Sequence, residues 1–283
     1  MNSKELSQKE AELILEKQNE YFNSQATKDV DFRISQLKLL KSSIKRYEEQ
    51  IVEALKKDLG KHKCESYATE IGFVYNSISC IIRNLRRWVR PQKKRTPLFL
   101  MPAKSYVVSE PYGSVLIIAP FNYPFQLVFE PLAGALAAGN TAVIKTSELA
   151  PNVSKVVKSL IEETFAGQYV KCVEGGVQTV SELLSLKFGY IFFTGSAQTE
   201  KKVLLEVSAG NVTINDTILH IANHNLPFGG TGNSGIGNYH GKYSFTTFSH
   251  QKGILKKPEM PGFKFMYPPF TEKNLNIIKW FLR

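Results

Sequence analysis

Cysteine is scarce in this chain: three in 283 residues, Cys64, Cys80 and Cys172, far apart and without a CxxC pair. An odd, scattered set supports neither a disulfide framework nor a zinc site, so no metal is expected and a reducing, cytoplasmic setting is. Long apolar runs are missing too. None approaches the ~20 residues a membrane span needs, and the first residues, MNSKE, lack the apolar core of a signal peptide. The G-x-G-x-x-G of the standard dinucleotide fingerprint is absent. Acidic residues are outnumbered, 25 against 36 basic, for a net charge of +11. The excess crowds between Lys61 and Arg95, at Arg83, Arg86, Arg87, Arg90, Lys93, Lys94 and Arg95. Such a run is either a nucleic-acid or anionic-membrane patch, or a solvated helix face followed by a basic loop. No nucleic-acid-binding motif accompanies it, so the second reading is preferred and no nucleic-acid partner is expected.

With 43% hydrophobic and 22% charged residues, the chain has the composition of a globular protein with a substantial core. Its first ninety residues are helical by pattern. Leu37, Leu40, Ile44, Tyr47, Ile51, Leu55 and Leu59 recur at spacings of three and four, as do Tyr67, Ile71, Val74, Ile78, Ile81, Leu85 and Trp88, a run ended by Pro91. A further helix over residues 7–23 precedes both. Near Tyr106 the texture changes. Strands are expected at 107–108 and 114–119 around a turn at 111–113, then at 141–144, 170–173 and 190–193. Helices are expected at 127–138, 151–164 and near 180–184. That alternation implies a parallel sheet with right-handed crossovers. Beyond it come a helix at 200–208, a strand at 212–214 and a glycine-rich loop at 227–237.

Ligands of such sheets bind beyond the carboxyl ends of the strands. This brings the loops 120–123, 145–148, 174–176 and 194–196 to one rim. The rim carries Asn122, whose amide can donate to a developing oxyanion. Lys145 and Glu148 suit ribose hydroxyls, one donating and one accepting. Gly195 and Ser196 open a helix whose free N–H groups suit a pyrophosphate. Taken singly, each reads better structurally, Asn122 as a turn residue, Glu148 as a helix-start acid and Gly195-Ser196 as a cap. Gathered on one rim, they favour a dinucleotide site.

The motifs then carry a resemblance. PYGSVLIIAPFNYP (111–124) and AAGNTAVIKTSE (137–148) resemble the cofactor-domain signature of aldehyde dehydrogenases, and FTGS (193–196) resembles that family's pyrophosphate-facing turn. VTIND (212–216), LPFGG (226–230), NSGIG (233–237) and YHGK (239–242) are similar to its C-terminal region. The helical N-terminus, EIG at 70–72 and the paired prolines at 268–269 are most similar to the dimeric class 3 branch. The resemblance covers nearly the whole chain. It implies an α/β fold: N-terminal helices, a Rossmann-like parallel sheet and a remnant of the catalytic and oligomerisation region. It implies NAD or NADP as cofactor and an aldehyde as the ancestral substrate. Asn122 would be the oxyanion-hole amide, and Ile118, Pro120, Phe121, Asn122, Lys145, Ser147, Glu148, Phe193, Gly195 and Ser196 would hold the cofactor. Thr146 stands where the family usually has proline, and Glu200 where it usually has glycine.

The larger departure is a gap. After FTGS the family continues through a Glu-Leu-Gly-Gly segment with the general base, a Gly-Gln-x-Cys loop with the nucleophile and a Glu-x-Phe-Gly-Pro segment for the nicotinamide ribose. None of these is present here, and the three cysteines, Cys64 and Cys80 in the N-terminal helices and Cys172 in a buried strand, read as structural thiols. The chain is therefore expected to have residues 1–104 as an N-terminal helical part, 105–113 as an oligomerisation segment, 114–199 as the dinucleotide-binding sheet and 200–283 as a remnant of the catalytic and oligomerisation region. Three functions follow: a degenerate aldehyde dehydrogenase, inactive for want of nucleophile and base; a nucleotide-binding regulatory module; or a protein that dimerises through strands near Tyr106 and Ile254, with itself or with a full-length homologue. At the junction, residues 212–214 either pair with 190–193 and extend the sheet, the reading slightly preferred because short connections join neighbours, or pair only with C-terminal strands near the 227–237 loop, as the resemblance implies.

Overall fold

The computed structural model describes residues 5–98, 101–193, 223, 225–230 and 237–256. The chain divides into two compact units, Met1–Trp88 with Glu110–His250, and Val89–Ser109 with Gln251–Arg283. The expected pairing of residues 212–214 lies outside the described residues, as do Gly195 and Ser196.

The first unit begins with the expected helices. Helix α1 (Gln8–Asn23) starts at a capping box: the Ser7 hydroxyl accepts from the Glu10 N–H, and the Glu10 carboxylate accepts from the Ser7 N–H. Helix α2 (Val30–Leu59) is capped by Asp29 and stopped by Gly60 in the left-handed region, and it buries Leu37, Leu40, Ile44, Tyr47, Ile51 and Leu55. The third helical stretch is not the single regular helix its periodicity suggests. It comprises α3 (Lys63–Ser66), a π turn (Tyr67–Ile71) and α4 (Gly72–Trp88). The wider π turn rotates Tyr67 off the buried stripe on which it was counted, leaving it 46% exposed.

Strands β3 (Ser114–Ile118), β4 (Thr141–Lys145), β5 (Val170–Val173) and β6 (Tyr190–Phe193) form one parallel sheet in the order β5-β4-β3-β6. Their connections are α5 (Gln126–Ala138), α6 (Pro151–Thr164) and α7 (Val177–Leu184). Both central strands are buried along their whole length, as β-branched segments covered on two faces should be. Helix α5 is buried at every position, which explains its run of small and aliphatic residues. Arg33 reaches it from α2: its guanidinium donates to the carbonyls of Thr27, Lys28 and Ala137, the last at the helix's carboxyl end.

The segment 237–250 returns to this unit. Helix α8 (Lys242–Thr247) packs on α5, where Gly134 faces Ser244 so closely that a Cβ on the glycine would stand 2.8 Å from the serine's. Phe245 lies tilted against Trp88, ring centroids 6.0 Å apart, and Phe248 stacks on Phe192 at 5.8 Å. The Asn140 amide donates to the Phe248 carbonyl.

The second unit is a three-stranded sheet in the order β1-β2-β7, from β1 (Gln92–Lys94), β2 (Lys104–Pro111) and β7 (Ser249–Lys256). This corrects the basic loop expected after Pro91: Lys93 and Lys94 are in β1, antiparallel to β2 with Lys93 opposite Tyr106. Lysine side chains on a short edge strand remain solvated while the backbone pairs, so charge concealed the strand. The turn at 111–113 links strands of two different sheets.

Candidate functional site

Pairing register aligns the rim. Phe193, Ile118, Lys145 and Val173 are successive neighbours across the four strands, one at the carboxyl end of each. The chain steps outward from β3 through β4 to β5, then returns to β3's other side as β6. The switch in direction therefore falls at β3, where open parallel sheets place their ligand crevice.

Ile118, Lys145 and Ser147 are buried at this edge, Pro120 is half-buried, and Phe121 and Asn122 are exposed. Phe193 is 67% exposed at the end of β6. The Lys145 ammonium, 3% exposed, lies 2.5 Å from a carboxylate oxygen of Glu148, which is 40% exposed. Burial works to raise the Glu148 pKa, but the hydrogen bond from Lys145, its own backbone N–H and the lysine charge outweigh it, so the carboxyl sits below its ordinary value. The pair sets one donor and one acceptor side by side at this edge. Ser147 turns inward, its hydroxyl accepting from the Leu149 N–H. The Asn122 Oδ1 accepts from the Tyr123 N–H, which leaves the NH2 end of the amide as its outward-acting group.

Two residues that sequence reasoning missed hold the Asn122 loop. Lys61, at the end of α2's connection, lies 2.5 Å from Glu70 and also donates to the Asn122 carbonyl at 3.2 Å. Glu70, in the π turn, accepts from the N–H groups of Phe125 and Gln126 and thereby caps α5. Lys61 additionally stands 4.1 Å from the centroid of the Tyr123 ring. The EIG triplet was visible in the sequence, but its carboxylate's partner 55 residues away was not.

The cysteines differ in exposure. Cys172 on β5 is buried, but Cys64 is exposed on α3 and Cys80 half-buried on α4. Cys172 borders a groove of about 360 Å³ that also touches Glu5, Lys158, Glu162 and Glu174. Burial, with help from the charge of Glu174, pushes its thiol up to about 12, so at neutral pH it carries its proton.

Comparison with known proteins fits this geometry. The family described as "Aldehyde dehydrogenase family" matches residues 1–208 and 201–254, most of the chain. The chain belongs to the aldehyde dehydrogenase family. It is 55% identical, over 194 residues, to the 4,4'-diaponeurosporen-aldehyde dehydrogenase of Staphylococcus aureus, covering 69% of this chain and 42% of that protein. A class 3 relative, aldehyde dehydrogenase family 3 member I1 of Arabidopsis thaliana, is 25% identical over 461 positions, covering 97% of this chain and 84% of the relative. An alignment of 461 positions against a chain of 283 leaves at least 178 positions of the relative facing gaps. The solved structure described as the substrate bound state of Staphylococcus aureus AldH superposes with a TM-score of 0.85 at 29% identity, covering 96% of this chain and 99% of that one. The chain thus has the α/β aldehyde dehydrogenase fold, yet it spans about two fifths of the length of the Staphylococcus aureus dehydrogenase it matches at 55%.

Proposed function

We propose that this aldehyde dehydrogenase homologue binds NAD or NADP by the adenosine half and does not itself oxidise aldehydes. The observation that carries the reading is the Lys145–Glu148 pair: a buried ammonium and a partly exposed carboxylate in contact at the carboxyl end of β4, beside the sheet's switch point. A donor and an acceptor so placed fit the two hydroxyls of a ribose. Pro120 and Phe121 then flank the nucleotide, Ile118 floors it, Ser147 supports the turn, and Phe193 leads to Gly195 and Ser196 for the pyrophosphate. The cofactor, when bound, would supply the hydride acceptor.

What the chain lacks is the other half of the chemistry. Oxidation of an aldehyde through a thioester needs a thiolate to attack the carbonyl and a base to activate water for its release. Asn122 offers an amide for the oxyanion, but no cysteine accompanies it in sequence, and the Cys172 thiol stays protonated at neutral pH. The segments that carry nucleophile and base in the family have no counterpart in this sequence.

The test has two readouts on the purified chain. Aldehydes, including 4,4'-diaponeurosporen-aldehyde, the namesake of the 55%-identical relative, are expected to give no reduced NAD or NADP above background. Saturation-transfer NMR with NAD is expected to show stronger contacts at adenine than at nicotinamide. Turnover that Cys172→Ser abolishes would overturn the inactive reading, and equal contacts at both ends would overturn the adenosine-anchored one.

A further inference from the structure

Residues 174–176, Glu-Gly-Gly, follow β5 and open α7, and the nucleotide-binding reading leaves them without a role. The structure shows them occupied by the chain's own carboxylate. Glu5 accepts from the Gly176 N–H at 2.9 Å with one oxygen. With the other it accepts from the Thr179 N–H at 2.9 Å and the Thr179 hydroxyl at 2.5 Å. The next residue secures the strap, the Leu6 N–H donating to the same buried hydroxyl at 2.9 Å. The two glycines make room for it. A Cβ on Gly175 would stand 3.0 Å from one Glu5 oxygen, and a Cβ on Gly176 2.9 Å from the other. This is an anion cradle with an internal anion in it.

The cradle lies beside the ribose pair. Its loop follows Val173, the register neighbour of Lys145. The Thr179 hydroxyl and the two N–H groups hold the Glu5 carboxyl below its ordinary pKa, and the charge of Lys145 adds to them. In return Glu5 opposes the lowering at Glu148. The rim therefore carries three carboxylates, Glu5, Glu148 and Glu174, against two ammonium groups, of which Lys145 is already in contact with Glu148 and Lys158 with Glu174.

NAD and NADP differ by a phosphate on a hydroxyl of the adenosine ribose. A hydroxyl donates to Glu148 and accepts from Lys145. A phosphate donates nothing at neutral pH, and needs cations or N–H groups. Here the nearby N–H groups are taken by Glu5, and the net local charge is negative.

We propose that Glu5 is a cofactor-selectivity residue: by filling the Gly175–Gly176–Thr179 cradle with a carboxylate it turns the rim against a phosphorylated ribose, so the chain takes NAD in preference to NADP. This rests on the nucleotide-binding reading above.

Calorimetric titration of the full chain with NAD and with NADP tests it, on wild type, Glu5→Gln and Glu5→Lys, with melting curves to verify folding. Wild type is expected to bind NAD more tightly. Glu5→Gln should reduce the ratio of Kd for NADP to Kd for NAD by about three- to tenfold, the range for one charge at a partly solvated site. Glu5→Lys should reduce it further, with NAD affinity within about twofold throughout. A ratio unchanged across the three proteins overturns the role of Glu5 and leaves nucleotide binding standing. Loss of NAD and NADP affinity together would make Glu5 a general support of the site, and overturns selectivity. Failure of all three folded proteins to bind either nucleotide overturns the parent reading and this one with it.

Discussion

Glu70 and Glu130 are both wholly buried and both belong to the surroundings of α5, one at its entrance and one in its middle, yet they are partnered very differently. Glu70 has the Lys61 ammonium on one oxygen and two backbone N–H groups on the other. Glu130 has the Ser77 hydroxyl at 2.9 Å and the His240 Nδ1 at 4.0 Å, while its second oxygen has no hydrogen-bond partner among the described residues. Burial pushes the Glu130 carboxyl up to about 8, with Ser77 opposing. The lesson is that depth alone does not decide whether a carboxylate is tolerated as an ion. The number and charge of the donors around it do.

The comparison is broken most severely at Lys61. Lys61→Met leaves Glu70 buried without its cation, and should cost about 3–5 kcal/mol in urea unfolding at neutral pH. Adding Glu70→Gln to that variant should recover much of the loss, because the stranded charge is gone. A loss below about 1 kcal/mol in the single variant would mean that the two N–H donors suffice alone.

Glu130 supplies the next effect, and its sign is opposite to that of a salt-bridged acid. Its folded pKa lies above the unfolded value, so between about 4.5 and about 8 the native state retains a proton that the unfolded state has released. Its contribution is fully present below about pH 4.5 and is lost, at roughly 1.4 kcal/mol per pH unit, as pH rises to about 8. Glu130→Gln should remove that component from the stability profile between pH 5 and pH 9. A variant whose profile still parallels wild type would place the carboxylate's proton elsewhere, with His240 and Tyr239 the other ionisable groups packed near it.

The smallest effect sharpens the contrast. Ser77→Ala deletes the hydroxyl donor that Glu130 has, at a cost of about 1 kcal/mol concentrated at alkaline pH, where the carboxylate is charged. The Glu130 titration, followed by carboxyl 13C NMR, should move upward from about 8, since Ser77 holds it down. A downward shift would show that water entering the vacated space solvates the carboxylate better than serine did.

Much of the architecture was legible because it is written in local periodicity. The stripe from Leu37 to Leu55, the β-branched runs of β3 and β4 and the Ser7–Glu10 cap each lie within a few turns of chain. The rim was legible for a related reason: parallel strands of similar length align their carboxyl ends, so placing the strands placed Ile118, Lys145 and Phe193 in one row. What escaped was polar and non-local. Arg33 and Lys61 count as surface charges by composition, yet both are buried because carbonyls or a carboxylate arrive from distant segments. Glu5 was invisible for the same reason, with its partners more than 170 residues away. Tyr67 was misplaced by a single extra residue in a turn, which periodicity counted at 3.6 per turn cannot register.

The seat that α5 offers to residues 237–250 has a consequence for how such a chain tolerates loss. Gly134 and Asn140 recognise Ser244 and Phe248 directly, without reference to what lies between β6 and residue 237. Joining two ends costs loop entropy that grows only with the logarithm of the intervening length. A connection of about forty residues and one roughly five times longer differ by about 1.4 kcal/mol. The contacts of Gly134 and Asn140 are thus indifferent to the length of that connection, whereas a single methyl group at residue 134, 2.8 Å from the Ser244 Cβ, would push the helices apart.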